Sequence, residues 1–540
     1  MGVSSKSRVF IFGGVILLAI LWRMSFVIWN VLPFDADEAI VGLMAKHILV
    51  GERPIFFYGQ YYMGSLDAYW VSLGFLLFGQ KVWVIRLMQA LLFSATVFIV
   101  MKIGEEAFGN LKAGLFAGLL LVIPNVNLLL YSTASLGGYG EALFFSALIL
   151  LITLYLKRNL TAATVDQRKT IMLSIFLGII SGLAFWVNNL TVVVSFPCIV
   201  FVLVYLLKAS MQSRKKWRVF LILVLGFSLG LTPIWISMIQ NGFGSVFRDL
   251  TGNAYTGESG SVLQKIGNHI FSFFFLGLPA LIGIRAPWDV RWLAVPVIPL
   301  LVATYLAVLL WSGINATRKS STRGLYFLFA GIGTFFFILF IFTPFGIDPT
   351  GRYFLPLNIV LSLMVANFVF SVRFQKWVAI GVASIILVFN IWSTLQCALQ
   401  NPPGITTYLD STNRIDHSAD PNLIAFLEEN KIDEGYSSYW VSYPLAFLSN
   451  EELIFLPQLP YHTSMQVSTR DDRYKPYDAI VEQAPQVAYI TVRFPTLDDR
   501  LRSAFESLHI TWQETVIGNY HVFYHLSQKV TPQELGLAFK

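Results

Sequence analysis

Eleven apolar stretches of 16 to 21 residues lie between residues 9 and 397. They cover 9–29, 82–101, 113–130, 141–156, 171–187, 190–207, 219–239, 293–313, 325–344, 353–371 and 378–397. A helix needs about 20 mostly apolar residues to cross the hydrocarbon of a bilayer. Lipid offers backbone groups no water to bond, so helices are what such stretches form. The pattern predicts a polytopic α-helical membrane protein. Composition agrees: 56% of the 540 residues are hydrophobic and 13% are charged, about half the ~25% charge of a soluble domain. A cytosolic enzyme, a disordered chain and a disulfide scaffold are excluded. The first stretch follows Lys6 and Arg8, is too long for a removable signal peptide and lacks a small-residue cleavage site.

The net charge of +7 hides a division. Residues 1–397 hold 28 Lys and Arg against 13 Asp and Glu, and residues 398–540 hold 10 against 18. The first part reads as a basic membrane domain, with outer loops at 30–81 and 240–292. The second, beginning at Asn401-Pro402-Pro403-Gly404, reads as a small soluble α/β domain with helical stretches (421–430, 501–508) and strand-like ones (486–492, 521–525). With the N-terminus inside, the inner loops carry 18 Lys and Arg in 61 residues and the outer ones 8 in 125. The positive-inside rule then predicts a cell (inner) membrane protein with a cytoplasmic N-terminus and an extracytoplasmic C-terminal domain. The basic excess is a topology signal, and no nucleic-acid partner is expected. Two further apolar stretches, 65–79 and 269–285, fit as juxtamembrane or re-entrant helices on the outer side. No internal repeat is visible.

Acid is scarce before residue 398, yet three carboxylates crowd Asp35, Asp37 and Glu38 just beyond the first span. Desolvating such groups at a membrane surface is costly unless they serve a purpose. Asp37 and Glu38 open a helical pattern running to about Leu49, where first-turn carboxylates also complement the helix dipole. Spacing alone leaves capping, catalysis and metal binding open. If a divalent cation is held, Asp37 and Glu38 are its candidate ligands; none is required from sequence. The same loop continues through Tyr58, Gln60, Tyr61 and Asp67. Rings interspersed with amides and acids suit a sugar cleft, or an interfacial aromatic belt. His47 lies ten residues after Asp37 on the same predicted helix.

Three more polar residues stand at outer membrane boundaries: Arg86, Glu141 and Arg352, the last followed by Tyr353. Each alone can snorkel to water. Two guanidiniums at one face can instead grip a phosphate bidentately. Trp440 and the tyrosines of 436–443 suit either core packing or contact with glycan. Cys198 and Cys397 form no metal-ligand pattern. No P-loop, Rossmann fingerprint, His-rich zinc pattern or nucleophile elbow is present.

An N-terminal span followed by an outer loop opening on Asp37-Glu38 resembles the GT-C membrane glycosyltransferases. The closer likeness is to the family 39 type, related to protein O-mannosyltransferases and aminoarabinose transferases. It rests on residues 37–68, on Arg86-Leu87 and on Gly351-Arg352-Tyr353-Phe354-Leu355-Pro356, and it covers roughly residues 1–397. The tail matches in kind, since many members append a soluble outer domain. The resemblance implies an inverting transfer from a polyprenyl-phosphate-linked sugar to an acceptor protein, lipid or glycan in the bilayer. It implies Asp37 as general base, Glu38 orienting the site or holding a cation, and Arg352 with Arg86 on the donor phosphate. Asp35, His47, Tyr58, Gln60, Tyr61, Asp67, Glu141 and Tyr353 are the remaining substrate-site candidates. Asp35 makes the motif Asp-x-Asp-Glu, which leaves the base ambiguous by two positions. The alternative is a transporter or flippase of lipid-linked sugars. Few charged residues lie within the spans, Arg23 being the clear case, and this disfavours a translocation path.

Overall fold

The computed structural model describes residues 5–250, 260–318, 322–371, 375–400, 404–407, 415–462 and 464–537. The expected break at Asn401-Pro402-Pro403 lies outside them. In chain order the helices begin with α1 (Ser5–Ile28), α2 (Ala36–Leu49), α3 (Leu66–Phe78), α4 (Val82–Phe108), α5 (Leu111–Val122) and α6 (Val126–Tyr131). There follow α7 (Tyr139–Leu160), α8 (Gln167–Val187), α9 (Val192–Lys208), α10 (Ser213–Gly230), α11 (Thr232–Asn241) and α12 (Phe243–Leu250). Next come α13 (Val262–Phe271), α14 (Leu278–Leu281), α15 (Ile298–Thr317), α16 (Arg323–Phe342), α17 (Leu357–Ser371) and α18 (Gln375–Ala398). The tail contains α19 (Asp420–Glu429), β1 (Glu434–Tyr436), α20 (Tyr439–Leu448), β2 (Ile454–Leu456) and α21 (Pro476–Gln483). It closes with β3 (Ala488–Val492), α22 (Pro495–Ser507), β4 (Gln513–Ile517) and β5 (Tyr520–Tyr524).

The chain forms two compact units. The first comprises Met1–Trp29, Tyr61–Leu66 and Arg86–Cys397. Each of the eleven predicted stretches is helical. Among the described residues eight helices are long and apolar enough to cross a membrane: α1, α4, α7, α8, α9, α15, α16 and α18. The pair α10 and α11, bent by 51°, makes a ninth if taken as one span; Pro233 starts the second half. The other two stretches come out shorter than expected. Residues 113–130 form α5 and α6, broken at Pro124, which has no N–H to continue the helix. Residues 353–371 yield the 15-residue α17 after a single 3₁₀ turn. Glycines let α8 and α10 touch through their backbones: a Cβ on Gly182 would lie 2.3 Å from the Phe227 carbonyl oxygen. In the 269–285 stretch, α13 runs through a π-helical turn at Ser272–Gly277 into α14.

The second unit comprises Asn30–Gln60, Asp67–Ile85 and Ala398–Lys540. Most of the first predicted loop therefore packs with the tail. The tail holds a five-stranded sheet in the order β2-β1-β3-β5-β4. The three strands β2, β1 and β3 are parallel, while β3–β5 and β5–β4 are antiparallel. Leu423, Leu427, Phe455, Ile490 and Val522 fill its core. Helix α20 lies against α2, where Gly42 leaves room for the Phe447 ring; a Cβ there would come within 2.6 Å of it.

Candidate functional site

The acidic motif sits at the start of α2 in the second unit. Asp35 is the N-cap: extended (φ −79°, ψ 150°), it accepts the Asp37 N–H at 2.8 Å through Oδ1. Its Oδ2 accepts the Thr407 hydroxyl at 2.6 Å. Asp37 and Glu38 occupy the first turn, Glu38 buried and Asp37 half-buried. Asp37 Oδ1 accepts the hydroxyl of Tyr439, the first residue of α20. The Arg473 guanidinium lies 5.5 Å from the Tyr439 ring centroid. Burial pushes the Asp35 carboxyl up to about 7, and the Asp37 charge beside it adds to the rise. Burial and the same Asp37 charge hold the Tyr439 phenol well above its usual range. Burial lifts Asp471 to about 6 against the pull of Arg473.

His47 and Tyr58 belong to a different cluster, at the other end of α2 and about 15 Å along the axis from Asp37. His47 Nδ1 meets the Tyr58 hydroxyl at 2.9 Å and Nε2 meets Glu451 at 2.8 Å. Tyr474 stacks on both rings and donates to Glu52 at 2.7 Å. Burial would raise Glu451, but hydrogen bonds from His47 and Tyr477, with Lys46 at 3.2 Å, bring it down to about 2. This cluster fastens the loop after α2 to the tail. Gln60 is buried beyond it, and Asp67 is buried in the first turn of α3.

The first unit holds the remaining candidates. Arg86 is buried in the first turns of α4. Three residues on, the Gln89 amide donates to Glu141 at 3.3 Å and to Ser135 at 3.5 Å. Arg352 pairs with Asp348 at 2.5 Å and lies 5.2 Å from the Tyr353 ring. Buried Arg285 ties down the approach to this turn, donating to the carbonyls of Leu276 at 3.1 Å and Pro287 at 3.2 Å and also to that of Pro349. Asn127 donates to the Gly351 carbonyl at 3.3 Å, and Gly351 takes the left-handed backbone (φ +80°) that opens the turn.

Tyr353 also lines a cavity of about 180 Å³. Its walls are largely apolar, including Phe185, Val193, Phe336 and Phe340, with Tyr139, Asn188, Asn189 and Asp249 as polar points. Asp249 Oδ2 accepts the Tyr61 N–H at 3.1 Å. Mostly apolar walls with a few placed polar groups are typical of small-molecule sites. Among the described residues no three His, Cys, Asp or Glu side chains are grouped to hold a metal ion. Sequence reasoning missed Thr407, Asp348, Asp249 and the two asparagines. Only Asn188-Asn189, interrupting an apolar run, left a local signal.

Comparisons with known proteins bear on this arrangement. The crystal structure of ArnT from Cupriavidus metallidurans bound to undecaprenyl phosphate matches with a TM-score of 0.60 at 14% identity, over 96% of this chain and 98% of that one. The chain shares the fold of that structure. ArnT in the apo state gives 0.58 at 14% identity, with the same coverage. The apo oligosaccharyltransferase of Archaeoglobus fulgidus matches at a TM-score of 0.51 and 12% identity, over 89% of this chain and 69% of that one. Residues 66–232 match the family described as dolichyl-phosphate-mannose-protein mannosyltransferase. A comparison with curated proteins found no match.

Proposed function

We propose that this integral membrane protein is an inverting glycosyltransferase that moves a sugar from polyprenyl phosphate to an acceptor hydroxyl at the extracytoplasmic face. The observation that carries this reading is the apolar cavity beside Tyr353 within a GT-C fold. A cavity of about 180 Å³ is comparable to the ~150 Å³ that accepts benzene, and it suits an isoprenyl segment next to a phosphate. That ArnT, of the same fold, binds undecaprenyl phosphate supports the same donor class here.

In this reading Asp37 is the general base. It takes the proton of the acceptor hydroxyl as that oxygen attacks the anomeric carbon. The bond from the anomeric carbon to the phosphate oxygen breaks, and the lipid phosphate leaves. Positioned base catalysis of this kind contributes about 10²–10⁴-fold. Asp35 suits the role less, because both its oxygens already accept hydrogen bonds. Arg352 and Arg86 stabilise the leaving phosphate, where charge develops; Arg352 does so while exchanging its Asp348 partner.

The test uses purified protein in detergent with a panel of undecaprenyl-phosphoryl hexoses and pentoses and candidate acceptors, following release of undecaprenyl phosphate. Turnover without two compartments supports an enzyme over a transporter. The reading fails if no donor of the panel is turned over, and the base assignment fails if Asp37→Asn keeps near-normal turnover.

A further inference from the structure

Two hydroxyl groups reach the acidic motif from the C-terminal part of the second unit, and they do different things. Thr407 completes Asp35, a buried cap with both oxygens engaged. Tyr439 engages only one oxygen of Asp37. Among the described residues no other side chain hydrogen-bonds that carboxylate. Tyr439 is itself held tightly. It is 3% exposed, with the rings of Trp440 and Tyr443 edge-on at 4.9 and 5.4 Å and Arg473 over its face. Its phenol stays protonated and so remains a donor at working pH. A free aspartate turns about two torsions; a donor fixed on one oxygen sets the plane of the carboxylate and the direction of the other oxygen.

We infer that Tyr439 is a positioning residue for glycosyl transfer: it holds Asp37 through Oδ1 so that Oδ2 is presented to the acceptor hydroxyl. The C-terminal part of the chain is then a working part of the active site. The inference rests on the reading of Asp37 as base.

The experiment compares full-length wild type, Tyr439→Phe and Asp37→Asn in detergent, on whichever undecaprenyl-phosphoryl sugar of the panel the wild type turns over. It records kcat, the KM for that donor and the thermal midpoint. A lost hydrogen bond to a charged group predicts a kcat lower by about tenfold to a hundredfold in Tyr439→Phe. The donor KM is expected within about twofold of wild type, with an unchanged thermal midpoint. A wild-type kcat in Tyr439→Phe overturns the inference. So does a fall in kcat matched by a fallen thermal midpoint or a raised KM, which marks a merely structural contact. If Asp37→Asn keeps turnover, the base reading falls and the inference with it. If Asp37→Asn abolishes turnover while Tyr439→Phe does not slow it, the positioning role alone falls.

Discussion

The side chain of Asp35 accepts the backbone N–H of Asp37 at 2.8 Å, so the acidic motif caps its own helix. Capping, open from spacing alone, falls to Asp35, which closes the start of α2 with both oxygens engaged, while Asp37 accepts the Tyr439 hydroxyl through Oδ1. Asp35→Ala removes the cap and leaves the Thr407 hydroxyl without its acceptor. It is expected to lower stability by about 1–2 kcal/mol. Asp35→Asn, whose amide oxygen still accepts the Asp37 N–H, is expected to lose less. Thermal midpoints of the two variants in detergent check the order.

The same carboxyl makes stability depend on pH. Burial raises Asp35 to about 7 in the folded chain, whereas an unfolded aspartate titrates near ~4. Between those values the folded state holds a proton that the unfolded state has released, so stability falls as pH rises through the window. Glu451 acts in the opposite sense at lower pH. Held at about 2, it adds stability that is lost as pH falls from ~4.5 toward 2. The thermal midpoint is expected to peak near pH ~4–5 and to decline toward neutrality. Asp35→Asn is expected to flatten the decline; an equal slope in that variant assigns it to another group.

Arg23 is fully buried inside α1 and, among the described residues, has no carboxylate beside it. It donates to Ser132 Oγ at 3.0 Å and the Ala19 carbonyl at 3.1 Å, and it reaches the carbonyls of Val122 at 3.4 Å and Leu121 at 3.5 Å. Its guanidinium stacks 3.9 Å from the Phe93 centroid. The last two carbonyls end α5, where the break at Pro124 leaves acceptors unpaired, so Arg23 caps a broken helix. Lysine keeps the buried charge but lacks the planar fork. Arg23→Lys is therefore expected to cost about 1–3 kcal/mol, and Arg23→Met, which removes the charge, to cost less. Thermal midpoints decide; the reverse order removes the fork argument.

Helix positions were legible because an apolar run is a local signal. Two tail helices, α19 and α22, and two strands, β3 and β5, followed from local patterns too, as Ala488–Val492 shows within the expected 486–492, whereas α20, α21, β1, β2 and β4 did not. Breaks inside a run were not legible. Residues 113–130 read as one span, yet Asn125 accepts the Leu128 N–H at 3.0 Å to start α6. Asn390, 267 residues on from Ile123, donates to its carbonyl at 2.9 Å. Such partners leave no trace at the break. The acidic motif stood out because acid is rare before residue 398. Tyr439 stood out only among the tyrosines of 436–443, as core packing or glycan contact; its tie to Asp37, 402 residues away, has no spacing to read. His47 was visible, but its partner Glu451 lies in the tail, and only the fold shows that the pair anchors a loop.

Glycine spacing sets the contact between α8 and α10. A Cβ on Gly178 would lie 2.3 Å from the Leu223 carbonyl oxygen, and one on Gly230 would lie 2.3 Å from that of Ile179. These near atoms are backbone, so they cannot swing aside as a side chain would. In a membrane, close backbone approach through small residues is a main source of helix pairing. Gly178→Val is therefore expected to force the helices apart and to cost about 1–3 kcal/mol. Gly333 on α16, where a Cβ meets nothing within 4 Å, is the control: Gly333→Ala is expected to leave the thermal midpoint unchanged or slightly raised, since alanine favours helix over glycine. Equal loss in the two variants means that general helix perturbation, not the α8–α10 contact, governs the effect.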